Sequence, residues 1–399
     1  MAIQPEIEHI MALAGRVGCS LGAIHHGRII HTAHFGYRDL AQKTPPNDDT
    51  IYPICSLSKS MTAATVGILV DEGALTWDTK IVDVLDDFKI EYDAMRMNIT
   101  LVDMLSHRSR LQETNMWPGS QNNILFPASN AINVISSLKL AHPFRAAWEC
   151  SNYGYELIAQ VIYKTLGMKW HQVISDRVLK PLNLKPTGFD ADFGSHDNVA
   201  LAYATLDDTS PVLIQDPKLG SETILGAGGG VRSSIRDMLE FYRVLLVSGS
   251  DQQKSGKTSA PGSPFRQVRE QFSSHIQLSG PKYSQTGYGF GLARVQLPGS
   301  MGAIGTNPTL YPDMPIVGRG SPSRLALYHQ GTLAGAFATV ILFPETDSGV
   351  VVLTNSLPLN ESDDWIGQLI TETIFDVKGR NDYVTSGCHG KLLQCTAQV

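Results

Sequence analysis

Strand-like runs occur near both ends of this chain, with a long stretch lacking them in between, and this distribution limits the fold more than any other feature. Near the start, residues 19–25 and 28–35 are apolar and β-branched, and they flank His26-Gly27, a pair suited to a two-residue hairpin turn. Near the end, residues 325–329, 336–343 and 350–354 repeat the pattern, and a turn-rich segment, 344–349, joins the last two as an antiparallel meander. Between about 75 and 220 the periodicity becomes helical, at 101–106, 131–138, 153–166 and 170–178. The expected fold is therefore α/β in the α+β sense. Residues 1–75 and 225–377 share one antiparallel sheet flanked by helices, and an all-helical subdomain, 76–224, is inserted between them.

The flanking helices can be placed the same way. Residues 7–13 suit a first helix stopped by Gly15, and 233–246 suit another. Residues 363–375, with Trp365, Ile366, Leu369, Ile370 and Ile374, supply a helix able to cover one sheet face. Residues 247–264, rich in Ser, Gly, Lys and Gln, read as a solvated loop, and 299–323 as a long Gly/Pro excursion. From Lys378 onward the tail is poorly patterned and is expected to be loose.

With 399 residues, 42% of them hydrophobic and 18% charged, the chain can bury a full core. Its net charge of -6 argues against nucleic acid as a partner. Its apolar runs are strand-sized, short of the roughly 20 residues of a membrane span. Residues 1–15 carry Glu6, Glu8 and His9 where a secretory segment would be apolar. The five cysteines, Cys19, Cys55, Cys150, Cys388 and Cys395, are scattered, with neither metal-ligand spacing nor disulfide density. Reduced thiols and a cytoplasmic address are the expectation. His25-His26 and His31/His34 lack partners at ligand spacing, so no metal is expected, and Gly228-Gly229-Gly230 lacks the Lys-Ser/Thr of a phosphate loop.

The chemistry points to Ser56-Leu57-Ser58-Lys59. Met61, Ala64, Thr65, Ile68 and Leu69 follow at amphipathic helical spacing, and Gly73 stands at the end. Three residues apart at a helix start, a hydroxyl and an amine share a face and can exchange a proton. A serine attacks poorly until a base removes its proton, and a lysine can be that base. The pattern alone fits an N-cap serine and a solvated lysine equally well. It also recurs at Ser136–Lys139 and Ser279–Lys282, but only Ser56 opens a long helix.

The segment from Ile54 to Ala63, with Glu72-Gly73-Ala74-Leu75, resembles the active-site segment of the serine β-lactamase and penicillin-binding-protein superfamily, above all class C β-lactamase-related esterases and lovastatin-type acyltransferases. Leu105-Ser106-His107-Arg108-Ser109, Ser151-Asn152-Tyr153-Gly154-Tyr155, Pro181-Leu182-Asn183-Leu184, Gly228-Gly229-Gly230-Val231, Tyr288-Gly289-Phe290-Gly291 and His329-Gln330-Gly331 follow in the family's order, over roughly residues 10 to 375. The resemblance implies Ser56 as nucleophile, Lys59 as its activator, Asn152 and His329 as substrate-positioning residues, and the amides of Ser56 and Thr332 beyond Gly331 as an oxyanion hole. Tyr153 joins the substrate-binding set. No metal or organic cofactor is implied. The reaction implied is acyl transfer on a small molecule, from an ester, thioester or amide, with water, an acceptor alcohol or a carrier-bound acyl group as the other participant.

One position departs from the family. Its tyrosine base is replaced by Cys150, a shorter side chain with an unperturbed pKa near ~8.5. Three readings stand: the thiol replaces the base, Lys59 works alone or with Tyr153, or hydrolytic chemistry is lost. The last would leave a binding protein, or a cyclase or isomerase using the same pocket. His107 reads as structural, and Arg110 stands where relatives often carry glycine.

Overall fold

The computed structural model describes residues 3–112, 124, 126–139, 143–189, 193, 196–278 and 284–387, and in it both ends of the chain build one sheet. Its strands are β1 (Gly18–His25), β2 (Arg28–Gly36), β3 (Thr286–Tyr288), β4 (Ala293–Leu297), β5 (Arg324–Leu333), β6 (Ala336–Phe343) and β7 (Ser348–Thr354). They lie in the order β2-β1-β7-β6-β5-β4-β3, and every neighbouring pair is antiparallel. His26 and Gly27 take φ of 48° and 70°, the left-handed pair that a tight hairpin with native twist needs. The chain thus meets the expectation of a mixed α/β fold with an antiparallel sheet and flanking helices.

Five helices matter for the site: α1 (Gln4–Ala14), α2 (Ser58–Asp71), α3 (Asn152–Leu166), α4 (Ile235–Ser255) and α5 (Ser362–Ile374). α4 packs on β1, β2 and β7, while α5 packs on β6 and β7 and is backed by α1. With helices on both faces, every residue of β6 and β7 is buried, so these strands read as continuous apolar runs instead of alternating ones. Among the described residues between Leu105 and α4, the longest regular elements are helices. It also holds two three-residue strands, Tyr203–Thr205 and Pro211–Leu213, which pair with each other while the first also takes Ser356–Leu357. Runs that short carry no readable period of two.

Three expectations need correction. α2 is not amphipathic: Ser58 through Leu69 are all buried, because the helix is enclosed by Gly226–Gly229, Val268–Phe272 and Trp170–Ile174. Its polar side chains are satisfied internally, Ser60 Oγ donating to Leu57 O, Thr62 Oγ1 to Ala227 O and Thr65 Oγ1 to Met61 O. The second correction concerns 247–264, where α4 runs on to Ser255. Residues 253–258 are exposed as expected, but Ser248 and Gln252 face inward: Ser248 Oγ donates to Val244 O and pairs with Ser263 Oγ, and Gln252 bridges Phe265 O and the Val268 amide. Third, the tail is packed as far as residue 387, with Tyr383 buried against Trp365 and Asn381 bonded to Glu372. Residues 388–399, with Cys388 and Cys395, lie outside the described residues, as do 279–283 and most of 113–125. No helix among the described residues is long and apolar enough to cross a membrane.

Buried acids give the fold a pH signature. Glu361 takes the Thr306 and Asn307 amides at 2.7 and 3.1 Å, pinning the 299–323 excursion to the start of α5. Burial, then the charges of Asp363 and Asp364, push its carboxyl up to about 8. Burial likewise raises Asp364 to about 6 and Glu156 to about 7. Protons held more tightly by the folded chain give stability that is complete below the ordinary carboxylate range and is lost as pH rises through the raised values. His329, pushed down to about 3, acts oppositely, and its contribution fades as pH falls below about 6.5. The melting temperature is therefore expected to peak on the mildly acidic side and to fall between pH 6 and 9. Glu361→Gln should flatten that alkaline limb in a thermal melt series; an unchanged slope would remove Glu361 as its source.

Candidate active site

Ser56 stands in the middle of the short 3-10 turn Cys55–Leu57, between strand Tyr52–Pro53 and α2. Cys55 holds φ at 52°, a left-handed conformation that costs a side-chain-bearing residue about 1–3 kcal/mol. Its buried thiol donates to Ala336 O, and burial pushes the thiol well above its usual pKa range. The kink turns the next residue outward, so Ser56 is partly exposed between two fully buried neighbours.

Lys59, in the first turn of α2, is wholly buried. Its Nζ donates to Ser56 Oγ at 2.7 Å, to Asn152 Oδ1 at 2.7 Å and to Gly228 O at 2.9 Å, and lies 5.6 Å from the Tyr155 ring centroid. Asn152 opens α3, and Gly228 belongs to the helical turn Gly226–Gly229. Three elements from distant parts of the chain thus converge on one amine. When that amine is neutral its inventory matches the site: two N–H groups for the Asn152 and Gly228 oxygens, and one lone pair facing the Ser56 hydroxyl.

The open edge of the sheet forms the opposite wall. The β5–β4 ladder stops at Tyr328, opposite Ala293, so among the described residues 329–333 have a strand neighbour on the β6 side only. Gly331 sits against the nucleophile turn, where a Cβ would fall 2.9 Å from Cys55 Cβ and 3.0 Å from Ser56 N. Any side chain there would crowd the amide beside the hydroxyl. Thr332 follows it, exposed. Gly291, at φ 71°, lies just as close to the Lys59 carbonyl carbon, 2.7 Å for a built Cβ, and lets the turn after β3 press on α2.

His329 is buried, and its two ring nitrogens are assigned by their partners. Nδ1 lies 2.5 Å from Gln330 O, an acceptor only, so it carries the proton, and Nε2 accepts from the Tyr288 hydroxyl at 2.9 Å. Burial, then the Lys59 charge, hold it near 3, so the imidazole is neutral at ordinary pH. His107, at φ 58°, accepts the Ser151 amide on Nδ1 at 3.0 Å and braces the approach to Asn152. Arg110 takes φ of 65°, which accounts for glycine suiting this position.

Cys150 is a partly exposed thiol two residues before Asn152. The phenols of Tyr155 and Tyr288 are pushed up first by burial, and a thiolate at Cys150 would raise them further. Tyr153 is only 3% exposed and packs in the main core. Ser56, Lys59 and Asn152 therefore meet directly, and Gly331 abuts the Ser56 amide. Tyr288 as the partner of His329, and Glu156, which accepts the Leu225 amide ahead of Gly226, escaped the sequence reading. A carboxylate inside the apolar run of α3 was the available signal for the second.

Among the described residues, the other serine candidates lack this geometry. Ser136 ends its helix instead of opening one, and Ser279–Lys282 falls on residues that are not described. A hydroxyl–imidazole–carboxylate chain, Ser20–His34–Asp48, does exist, but Ser20 is fully buried and also bonded to Tyr52, so no substrate can reach it.

A family model described as Beta-lactamase matches residues 3–373. Among curated proteins, Protein flp of Staphylococcus aureus (strain MW2) is 25% identical over 207 residues, 52% of this chain and 41% of its own length. Protein Rv1367c of Mycobacterium tuberculosis (strain ATCC 25618 / H37Rv) is 27% identical over 246 residues, 56% of this chain and 60% of its own. The chain thus spans only about half the length of the curated relatives it matches. Two solved structures share the fold: the octameric penicillin-binding protein homologue from Pyrococcus abyssi (TM-score 0.72, 19% identity, 96% of this chain and 78% of that one) and the class C beta lactamase from Rhodobacter sphaeroides (TM-score 0.67, 17% identity, 99% of each). Because the family match runs from the first helix through α5 and takes in the Ser56 turn, Asn152 and the β5 edge, the chain belongs to the Beta-lactamase family.

Proposed function

We propose that this chain is a serine acyl-transfer enzyme acting through a Ser56 ester. The observation that carries the reading is the 2.7 Å contact between the buried Lys59 Nζ and Oγ of the partly exposed Ser56, with the amine clamped by Asn152 and Gly228. Lys59, as the free amine, takes the hydroxyl proton while Ser56 Oγ bonds to the substrate carbonyl carbon. The oxyanion is received by the Ser56 and Thr332 amides, a preorganised pair at the β5 edge. As the tetrahedral centre collapses, the Lys59 ammonium returns its proton to the leaving oxygen, sulfur or nitrogen. Water or an acceptor hydroxyl then repeats the sequence in reverse and frees Ser56.

The substrate class follows from charge. His329 is neutral, and the arginines nearby are committed, Arg108 and Arg145 to Asp103 and Arg110 to Glu149. A neutral ester or thioester, such as a secondary-metabolite acyl group of the lovastatin-acyltransferase kind, suits this wall better than an anionic substrate. A second reading is motivated by Cys150: a binding protein, or a cyclase or isomerase, that keeps the pocket and forms no acyl-enzyme. A fluorophosphonate probe followed by intact mass separates the two. One adduct per chain, mapped to the Ser56 peptide and lost in Ser56→Ala, is expected; a chain that takes no adduct belongs to the second reading.

A further inference from the structure

The turn that offers Gly228 O to Lys59 is anchored from outside. Leu225, immediately ahead of it, is held at φ 72°. Its N–H donates to Glu156 Oε2 at 3.0 Å, and Glu156 Oε1 accepts from Gln160 Nε2 at 2.9 Å. The Gly228 amide then donates to Leu225 O at 3.0 Å, closing the turn whose carbonyl takes Lys59 Nζ at 2.9 Å. Asn152 and Glu156 are four residues apart on α3 and so share one helix face. That face therefore reaches Lys59 twice, directly through Asn152 and indirectly through Glu156 and the 225–228 turn.

Packing does not account for Glu156. It is fully buried, forms no ion pair among the described residues, and is flanked on α3 by Tyr155, Leu157, Ile158 and Ala159. A carboxyl in such surroundings is costly unless its hydrogen bonds serve a purpose. We infer that Glu156 is a positioning residue for acyl transfer: by holding the Leu225 amide it fixes the Gly228 carbonyl, and with it the aim of the Lys59 amine at Ser56. The inference rests on the acyl-transfer reading.

Saturation kinetics with the fluorophosphonate probe test it, through the maximal labelling rate kinact and the half-saturation constant KI. Glu156→Leu fills the volume without an acceptor, and Glu156→Gln keeps a carbonyl for the Leu225 amide; each is first checked by circular dichroism, with Glu156→Met replacing a Leu variant that does not fold. The Leu variant is expected to lose on the order of 10- to 100-fold in kinact, the scale of a misaligned reacting group, with KI within about twofold. The Gln variant should recover kinact to within about threefold, and hydrogen exchange should show residues 225–229 opening faster in the Leu variant alone. Wild-type kinact in a folded Leu variant, a Gln variant as slow as Leu, or a loss confined to KI each overturns the inference. A wild-type chain that takes no label is a different result: it removes the acyl-transfer reading, and this inference with it.

Discussion

Lys59→Arg should slow acylation of Ser56 by on the order of 10³-fold, near the upper part of the range for losing a general acid–base group. The choice of arginine matters. A guanidinium keeps the positive charge and can still donate toward Asn152 Oδ1 and Gly228 O, the two oxygens that hold Lys59. It cannot give up its proton at any working pH, so it cannot receive one from the serine. Lys59→Met removes charge and proton acceptor together, leaving an apolar chain of similar length in a wholly buried slot. If Lys59 acts by taking the proton, the two variants fall together, and pre-steady-state acylation by a p-nitrophenyl ester reads this directly. Arginine activity close to wild type would mean that the cation serves only as an electrostatic anchor, and the proton route through Lys59 would have to be abandoned. Thermal melts of both variants guard the comparison, because arginine is larger than the cavity that lysine fills.

Much of this site is legible in the sequence because its parts are local. The Ser56–Lys59 spacing fixes one helical turn, and the β5–β7 runs, with turn residues between them, define a meander without any long-range knowledge. Asn152 and His329 could be assigned only through resemblance, since nothing in composition tells a helix-opening asparagine from one that holds an amine 93 residues away. What escaped the sequence reading is polar and tertiary. The second half of α4 looks like a solvated loop until Ser248 and Gln252 are seen bonding inward to 263–268. Residues 378–387 look loose because their order comes from Glu372, Asn360 and Trp365 on and beside α5. The pairing of Tyr288 with His329 depends on β3 and β5, the strands on either side of β4, presenting adjacent side chains, a property of register rather than of pattern. In each case a partner distant in the chain decides the conformation, and a window of neighbouring residues holds no trace of it.

Cys150→Tyr should raise the rate of Ser56 acylation and turnover by about 10²-fold, toward what an added acid–base group contributes. On the proposed reading, Lys59 both takes the serine proton and delivers it to the leaving group. A phenol at position 150 would divide that labour, because a hydroxyl on a long rigid ring reaches farther than a thiol on a single methylene and passes a proton in either direction. The position is partly exposed and lies beside Asn152, which already holds Lys59, so the new ring has solvent-side room and a target within the same constellation. Cys150→Ser, tested in parallel, separates the three readings of this position. A thiol that works as the base should lose at least about tenfold on becoming a less acidic hydroxyl. A Lys59-driven site should lose far less and still gain strongly with tyrosine. A chain that stays inert with tyrosine restored, folded by circular dichroism and refusing the ester, would show that the defect lies in the carbonyl-binding wall at Gly331 and Thr332 and not at position 150, and the acyl-enzyme would then give way to the binding or isomerase reading.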